Sequence, residues 1–338
     1  MKTWDLPLYP DGWYCLGLSR DLKPGHLITK KFAGRDVVVF RGRSGSVSVT
    51  EAYCPHLGAH FGYGGTVEGD TLRCPFHGFC FDREGTCVKV APAYEALPKA
   101  KLGVLHSIER NGFIFAWHDG QGREPWFDIP ALDPSGFRDL RTTTWQLRAH
   151  PQETTENSVD VGHLSVVHGY EKVGELSPLR TEGPYLYAHY TMSRSAGVFG
   201  RSDLLRAEFE IHVHGLGYSF VDVRVPEYGL HTRHFVLNTP MDDEGQCELR
   251  VAISMESIRD ASKINPALAL LPKRAVNEII ERATFHGFCH DVQQDFDIWQ
   301  HKIYLQPPGL AKGDGPVGPY RRWARQFYPE KQTGAAAE

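Results

Sequence analysis

Two short segments of the chain each place a histidine two or three residues after a cysteine. They are Cys54-Pro55-His56 and Cys74-Pro75-Phe76-His77. Two thiolates and two imidazoles can hold a two-iron, two-sulfide cluster, with sulfur ligands on one iron and nitrogen ligands on the other. Zinc also accepts two cysteines and two histidines, but such zinc sites usually begin with Cys-x-x-Cys or end with a longer His-to-His spacing. The spacing therefore predicts an iron–sulfur cluster, with a zinc site as the alternative.

A second set of metal-ligand side chains lies in the other half of the chain, at Asp160, His163 and His168. Two histidines and one carboxylate can bind a mononuclear Fe(II) on one face and leave its other positions open. At about 100° per residue, His163 and His168 would lie about 140° apart on a straight helix. Both can therefore reach one metal only if the helix bulges or ends between them. Asp160, three residues before His163, shares a helix face with it.

Candidates for the third ligand occur near the end of the chain, at Asp291, Asp295 and Asp297. Asp295 falls on an apolar stripe, between Val292 and Trp299. An unpaired carboxylate that faces a core costs several kcal/mol, so either metal binding or an ion pair with a buried arginine would explain it. Asp297 is expected to face water, and Asp291 lies at the margin of the stripe. Geometry alone leaves the ligand and ion-pair interpretations of Asp295 equally open.

The elements that must position these residues divide the chain into two predicted domains, residues 1–120 and 121–338. The first contains short alternating segments separated by glycine-rich turns, which predict an all-β domain. Residues 123–137, rich in proline, aspartate and glycine, predict a connector. The second predicted domain begins with a helix over residues 150–170 and ends with a long amphipathic helix over residues 273–302. Between them, alternating segments predict an antiparallel sheet, at residues 185–193, 205–214, 218–225, 231–238 and 247–254. The predicted fold class is α+β.

Composition excludes several classes of function. The 338 residues carry a formal net charge of −4 without a basic cluster, so no nucleic-acid partner is predicted. The N-terminal segment lacks the apolar core of a secretory signal, and no apolar run is long enough to span a bilayer. Seven cysteines without framework spacing favour reduced thiols in a cytoplasmic protein. The glycines at 62–65 lack the spacing of a nucleotide-binding loop, so reducing equivalents must come from a separate protein.

The flanks of these residues resemble a known family. The segments CPHLGAH at 54–60 and CPFHGFCFD at 74–82 are similar to the two loops of Rieske [2Fe-2S] domains. The pattern formed by Asn157, Asp160, His163 and His168 resembles the catalytic motif of Rieske non-haem iron oxygenases. Within that family, PDGWYCLGL at 10–18, QDFDIWQHK at 294–302 and RRWARQFYPE at 321–330 resemble the oxygenase components of 3-ketosteroid 9α-hydroxylases and the cholesterol 7-desaturases.

This resemblance implies a set of cofactors and residue roles. It implies a Rieske cluster on Cys54, His56, Cys74 and His77, and a mononuclear Fe(II) on His163, His168 and Asp295. It also implies catalytic roles for Asn157 and Asp160. The implied catalytic domain is a helix-grip fold, an antiparallel sheet wrapped on a long C-terminal helix. In a head-to-tail homotrimer, Asp160 would accept hydrogen bonds from His163 and from His77 of a neighbouring copy.

The implied function is that of a terminal monooxygenase component. It would use O2 and electrons from an NAD(P)H-dependent ferredoxin reductase or a ferredoxin to hydroxylate or desaturate a C–H bond of an apolar, steroid-like substrate. The alternative within the family is a natural-product hydroxylase or demethylase. Outside it, the alternatives are a Rieske electron carrier, which the intact second metal motif disfavours, and a zinc-binding interaction module. Aromatic residues of the predicted sheet, such as Tyr187 and Phe209, are candidates for the substrate pocket but are more simply explained as core. The roles of His212, His214, His286 and His290 stay open.

Overall fold

A computed structural model describes residues 6–95, 98–195 and 204–329. Its N-terminal part consists of three small antiparallel sheets, with strand orders β2-β3-β4-β9, β1-β11-β10 and β5-β6-β7-β8. The strands are β1 Gly12–Leu18, β2 Leu27–Phe32, β3 Arg35–Arg41, β4 Val47–Glu51, β5 Thr66–Glu68, β6 Thr71–Arg73, β7 Cys80–Phe81, β8 Cys87–Lys89, β9 Val104–Leu105, β10 Ser107–Arg110 and β11 Phe113–His118. The predicted all-β character of this part is confirmed, and the loops between β4 and β5 and between β6 and β7 carry the predicted cluster ligands.

The second part of the chain is built on a seven-stranded antiparallel sheet with the order β12-β18-β17-β16-β15-β14-β13. Its strands are β12 Arg141–Arg148, β13 Glu171–Glu182, β14 Tyr185–Ser195, β15 Leu204–His214, β16 Tyr218–Val225, β17 Leu230–Pro240 and β18 Gln246–Met255. All five predicted strands are present. The outer strands β12 and β13 were not predicted. Between β11 and β12 the chain forms turns and one isolated bridge, as the predicted connector requires.

Among the described residues, five α-helices accompany the sheet: α1 Pro151–Glu156, α2 Val161–Val166, α3 Lys273–Gln294, α4 Phe296–His301 and α5 Val317–Ala324. Short 3₁₀ turns occur at Pro226–Tyr228, Ala261–Lys263, Pro266–Leu270 and Arg325–Phe327. The long helix lies against the sheet through Val276 and Ile280 near β18 and through Val292 near β12. The predicted α+β fold, a sheet with a long C-terminal helix, is confirmed. In the part of the chain that the structure describes, no helix combines the length and apolarity needed to cross a membrane.

A shared aromatic core joins the two parts of the chain. Phe113 and Phe115 of β11 contact Phe235 and Tyr218 of the large sheet, with ring centroids 5.3 and 5.5 Å apart. Gly217 lies so close to β1 that an added Cβ would be 2.3 Å from the carbonyl oxygen of Trp13, so a larger residue cannot fit. One face of the large sheet is therefore covered by the N-terminal part, and the opposite face is left to α3. The domain boundary at residue 120 stays a prediction.

Candidate metal centres and active-site cavity

Two loops of matching geometry carry the four predicted cluster ligands. In the first loop, the Cys54 amide donates to the Ala59 carbonyl at 2.8 Å, and the Gly58 amide donates to the Cys54 carbonyl at 2.9 Å. In the second loop, Cys74 N donates to Phe79 O at 2.8 Å and Gly78 N donates to Cys74 O at 3.1 Å. Gly58 and Gly78 have φ values of 75° and 69°, a region that glycine adopts without steric cost. Each loop therefore turns back on itself at its glycine and presents its cysteine inward.

The two thiols lie next to each other, and so do the two imidazole rings. Cys54 and Cys74 are buried next to each other among apolar residues. Burial raises the pKa of the Cys54 thiol to about 11, although the backbone N–H groups of His56 and Leu57 directed at its sulfur lower it. The rings of His56 and His77 lie 4.9 Å apart at the half-buried rim of the site. Two inward thiols with amide donors and two imidazoles on one side are the donor set that a mixed cysteine–histidine [2Fe-2S] cluster requires.

Aromatic and aliphatic side chains surround the two histidines. His56 stacks on Phe79 with ring centroids 4.6 Å apart. Leu57 and Phe76, beside the histidines in sequence, are 65% and 62% exposed. His60 lies outside this donor set, because its Nδ1 accepts from the Gly62 amide at 2.9 Å. The histidine end of the site is therefore open to a second protein surface, whereas the cysteine end is enclosed.

The second predicted metal site is assembled at a break in the helix predicted over residues 150–170. Helix α1 ends at Glu156, and α2 begins after Asp160, whose carboxylate accepts from the His163 amide at 3.2 Å as an N-cap. Helix α2 ends at Val166, before His168. The two imidazole rings lie 5.0 Å apart, so the helix end removes the separation that a straight helix would impose. This confirms that both histidines reach one point because the helix stops between them.

The third side chain at this point is that of Asp295. The helix predicted to run to residue 302 ends instead at Gln294, and the Asp295 amide donates to the carbonyl of Val292, a tighter pattern than an α-helix. The buried carboxylate lies 3.5 Å from Nε2 of His168. One ligand atom from each of His163, His168 and Asp295 lies within 4.8 Å of the others. By contrast, Asp297 is exposed, as expected.

The hydrogen bonds of the two histidines determine which ring nitrogen is available to a metal. Nδ1 of His163 donates to the backbone carbonyl of Asp160 at 2.5 Å. Nδ1 of His168 donates to the Gln294 side-chain carbonyl at 2.9 Å. Because both Nδ1 atoms are used by these hydrogen bonds, Nε2 is the nitrogen that each ring can offer to a metal. Two imidazoles that present Nε2 and one buried carboxylate fit a mononuclear iron with open positions.

Asp160 lies beside this group and is more accessible than it. Its side chain is 38% exposed, compared with 13% for His163. Burial opposes its negative charge, but hydrogen bonds from His163 and the nearby Lys302 ammonium outweigh that effect and lower the pKa of Asp160. A charged and partly exposed carboxylate therefore lies next to a candidate iron ligand. Asn157, the residue after α1, lines the cavity described next.

A cavity of about 390 Å³ extends from the His163, His168 and Asp295 side chains along the inner face of the sheet and α3. Its walls are largely apolar and include Phe209, Ile211, Val221, Val223, Val236 and Phe288. Gly287 of α3 also lines it, and nothing lies within 4 Å of the position of an added Cβ. The volume is within the range of sites that enclose drug-sized ligands.

The structure shows which of the candidate aromatic residues line the cavity and which do not. Phe209 lines the cavity, whereas Tyr187, Phe220 and Phe235 are buried without lining it. His212 and His214 are half-buried residues of β15 that do not line the cavity, and His286 and His290 are exposed on α3. The core interpretation is thus confirmed for most of these aromatic residues and wrong for Phe209.

Two ion pairs support the site and were not anticipated from sequence. Arg321 of α5 donates to both carboxylate oxygens of the buried Glu156 at 2.6 and 2.9 Å, which fixes the end of α1. Arg194 donates to Asp291 at 2.8 Å, and the Tyr170 hydroxyl donates to the same carboxylate at 3.1 Å. In the sequence, an acidic residue next to a metal-ligand motif indicates that a cationic partner is present, but it does not indicate which residue that partner is.

Both parts of the chain match known protein families. Residues 12–101 match the Rieske [2Fe-2S] domain, and residues 116–328 match the 3-ketosteroid 9α-hydroxylase C-terminal domain. Cholesterol 7-desaturase of Bombyx mori is 30% identical over 96% of this chain and 70% of its own length. The oxygenase component of 3-ketosteroid-9-alpha-monooxygenase from Rhodococcus rhodochrous is 27% identical over 94% of this chain and 83% of its own length.

Solved structures share the fold at lower identity. Dicamba monooxygenase bound to 3,6-dichlorosalicylic acid superposes with a TM-score of 0.65 at 20% identity, covering 94% of this chain and 96% of that one. NdmA of Pseudomonas putida CBB5 with caffeine gives a TM-score of 0.68 at 17% identity, covering 93% and 89%. These similarities extend the fold assignment over nearly the whole chain.

Proposed function

Because the chain belongs to the Rieske oxygenases that carry the 3-ketosteroid 9α-hydroxylase catalytic domain, we propose that it oxidises a C–H bond of a rigid, apolar molecule of steroid size. The chain is the terminal oxygenase component, the part that binds substrate. The observation that carries the substrate proposal is the cavity of about 390 Å³ that begins at the three candidate iron ligands. Its largely hydrocarbon walls favour binding by shape and by burial of apolar surface.

We assign the mononuclear iron to His163, His168 and Asp295, and the cluster to the four ligands of the two matching loops. When bound, the cluster supplies single electrons and the iron supplies O2 activation. The chain's own residues direct this chemistry. The Nδ1 hydrogen bonds to Asp160 and Gln294 hold both imidazoles with Nε2 toward the metal position. The apolar walls exclude water and hold the C–H bond beside it.

We propose that electrons pass between copies of the chain in a homotrimer, from the cluster of one copy to the iron site of the next. The half-buried rim at His56 and His77, flanked by the exposed Leu57 and Phe76, and the partly exposed carboxylate of Asp160 support this route. Asp160 can accept a hydrogen bond from His77 of a neighbouring copy while it neighbours its own His163. We assign Asn157, which lines the cavity and lies three residues before Asp160, to the same catalytic motif.

An oxygenase component of this family receives its electrons from a separate redox protein. We propose an NAD(P)H-dependent ferredoxin reductase or a ferredoxin as that donor. We also propose a cytoplasmic location, since seven unpaired cysteines are compatible with a reducing compartment.

The proposal is tested by loading the full chain with iron and sulfide, supplying a reductase and ferredoxin, and assaying a panel of substrates. The panel contains steroids and, as a contrast, small methylated aromatic compounds. Product mass distinguishes the gain of one oxygen atom, the loss of two hydrogens, and the loss of a methyl carbon. We expect products from steroid-sized substrates only, and none from a His163→Ala variant measured in parallel.

Turnover of the small methylated compounds without turnover of any steroid would refute the proposed substrate class. Metal analysis separates this result from failed loading, because a complete protein contains about three irons and about two sulfides per chain. Zinc without sulfide would refute the cofactor assignment itself.

A further inference from the structure

The cavity wall contains a polar side chain that the proposed chemistry does not use, His234 of β17. The alternation of this strand directs His234, Val236 and Asn238 toward the cavity, whereas Phe235 packs in the core shared with the N-terminal part. In register, His234 lies opposite Val221 of β16 and Ile253 of β18. His234 therefore places a polar side chain between apolar residues of the two neighbouring strands.

The two ring nitrogens of His234 have different environments. Nε2 lies 2.9 Å from the Thr232 hydroxyl oxygen, within hydrogen-bond distance. Within residues 6–95, 98–195 and 204–329, no group hydrogen-bonds to Nδ1. Burial lowers the pKa of His234 to about 4, with Asp222 opposing in part, so the ring is neutral at physiological pH. If the Thr232 hydroxyl donates to Nε2, the free Nδ1 is a hydrogen-bond donor.

Ser219 and the amide nitrogen of Asn238, two other polar groups of the wall, have partners, whereas within the described residues the buried Tyr190 hydroxyl and Asn238 Oδ1 have none. The Ser219 hydroxyl donates to the Val236 carbonyl at 2.9 Å, and the Asn238 amide donates to Thr154 at 3.0 Å. A wholly apolar ligand that displaced water from His234 would leave Nδ1 unpaired, which costs free energy. A ligand that placed an oxygen there would avoid this cost. The cavity wall therefore selects among ligands by the position of an oxygen atom as well as by their shape.

Helix α3 indicates how far the His234 side chain lies from the metal position. The His234 ring packs on Phe288 with centroids 4.4 Å apart. Phe288 precedes Asp295 by two turns, or roughly 10 Å along the helix axis. A ligand hydrogen-bonded at His234 would thus have several ångströms of its length between that oxygen and the oxidised carbon. This length suits fused rings.

We propose that His234 is a specificity residue that donates a hydrogen bond from Nδ1 to a ketone or hydroxyl oxygen, at the end of a polycyclic substrate remote from the oxidised carbon. The inference rests on the proposed function and adds to it the position of the substrate's polar group. His234 selects and orients the substrate and takes no part in electron transfer.

The test compares the binding of three rigid ligands with one carbon skeleton: androstane, androstan-3-one and androstan-17-one. The full chain with cluster and iron is titrated without reductant, and quenching of tryptophan fluorescence reports binding because Trp299 lines the cavity. We expect one ketone to bind the wild type about 3- to 10-fold more tightly than androstane. His234→Leu should remove that preference, and His234→Asn, which retains an amide donor near Nδ1, should restore part of it.

His212→Leu is the matched control, because His212 stacks on Phe220 and does not line the cavity. It should bind the three ligands as the wild type does. An equal preference for the ketone in wild type and His234→Leu would overturn the role of His234, and so would a wild type that binds androstane as tightly as both ketones. A loaded wild type that binds none of the three would instead refute the proposed substrate size, and the His234 assignment with it.

Discussion

Replacement of Gln294 tests whether the iron site depends on the orientation of His168. The Gln294 side-chain carbonyl accepts from Nδ1 of His168 at 2.9 Å, which directs Nε2 toward Asp295, 3.5 Å away. Gln294→Leu retains a side chain of similar length but removes the acceptor. Loss of such a supporting hydrogen bond typically weakens metal binding about 10- to 100-fold, equivalent to about 1.4 to 2.8 kcal/mol. We expect a loss in this range for Fe(II).

The assay is anaerobic competition between the protein and a chelator, with cluster absorption recorded to show that the first metal centre is intact. Gln293→Leu is the control. It makes the same change of side chain at the neighbouring position, which is exposed and lies outside the site. Gln294→Glu retains an acceptor and should bind iron at least as well as the wild type. Equal affinities for wild type and Gln294→Leu would refute the reasoning, provided that His168→Ala loses iron in the same assay.

Four further substitutions, at three positions, address other parts of the site. His163→Ala should reduce turnover below detection and leave cluster absorption unchanged; loss of both would mean that the two centres are not built independently. Asp160→Ala should leave both metal centres filled but greatly slow electron transfer between them, and normal single-turnover rates would contradict the bridging role. Gly287→Ala should raise the free energy of unfolding by about 0.5 to 1 kcal/mol, because the helix gains propensity and the space is open. Gly287→Leu should fill the cavity and weaken steroid binding while iron content is unchanged; unaltered affinity would show that the substrate lies elsewhere.

The metal-ligand candidates could be predicted from the sequence because their spacing is local. Cys54 with His56, and His163 with His168, are each separated by a few residues, and their side chains have few ways to converge. Helical geometry required either a bulge or a helix end between His163 and His168, and the structure shows the end. For Asp295, helical periodicity indicated a buried carboxylate and could not choose between a metal and an arginine.

Features that depend on contacts between distant elements could not be predicted. The contact between Gln294 and His168 joins α3 to the segment after α2, so no local pattern marks it. Strand β13 pairs with β14 through three register shifts, and these interrupt the alternation by which a strand is recognised. Alternation also shows that Phe209 and its neighbours face opposite sides of the sheet, but not which side encloses the cavity.

The aromatic core shared by the two parts of the chain holds them together as one packed unit. Phe113 and Phe115 pack against Phe235 and Tyr218 of the large sheet, and the position of Gly217 against Trp13 leaves no room for a spacer. Separation of the parts would expose this aromatic surface to water, so we expect heat or denaturant to unfold both in a single cooperative transition. Side-chain packing therefore fixes the distance between the two metal centres of one chain. Motion of a flexible linker cannot shorten this distance.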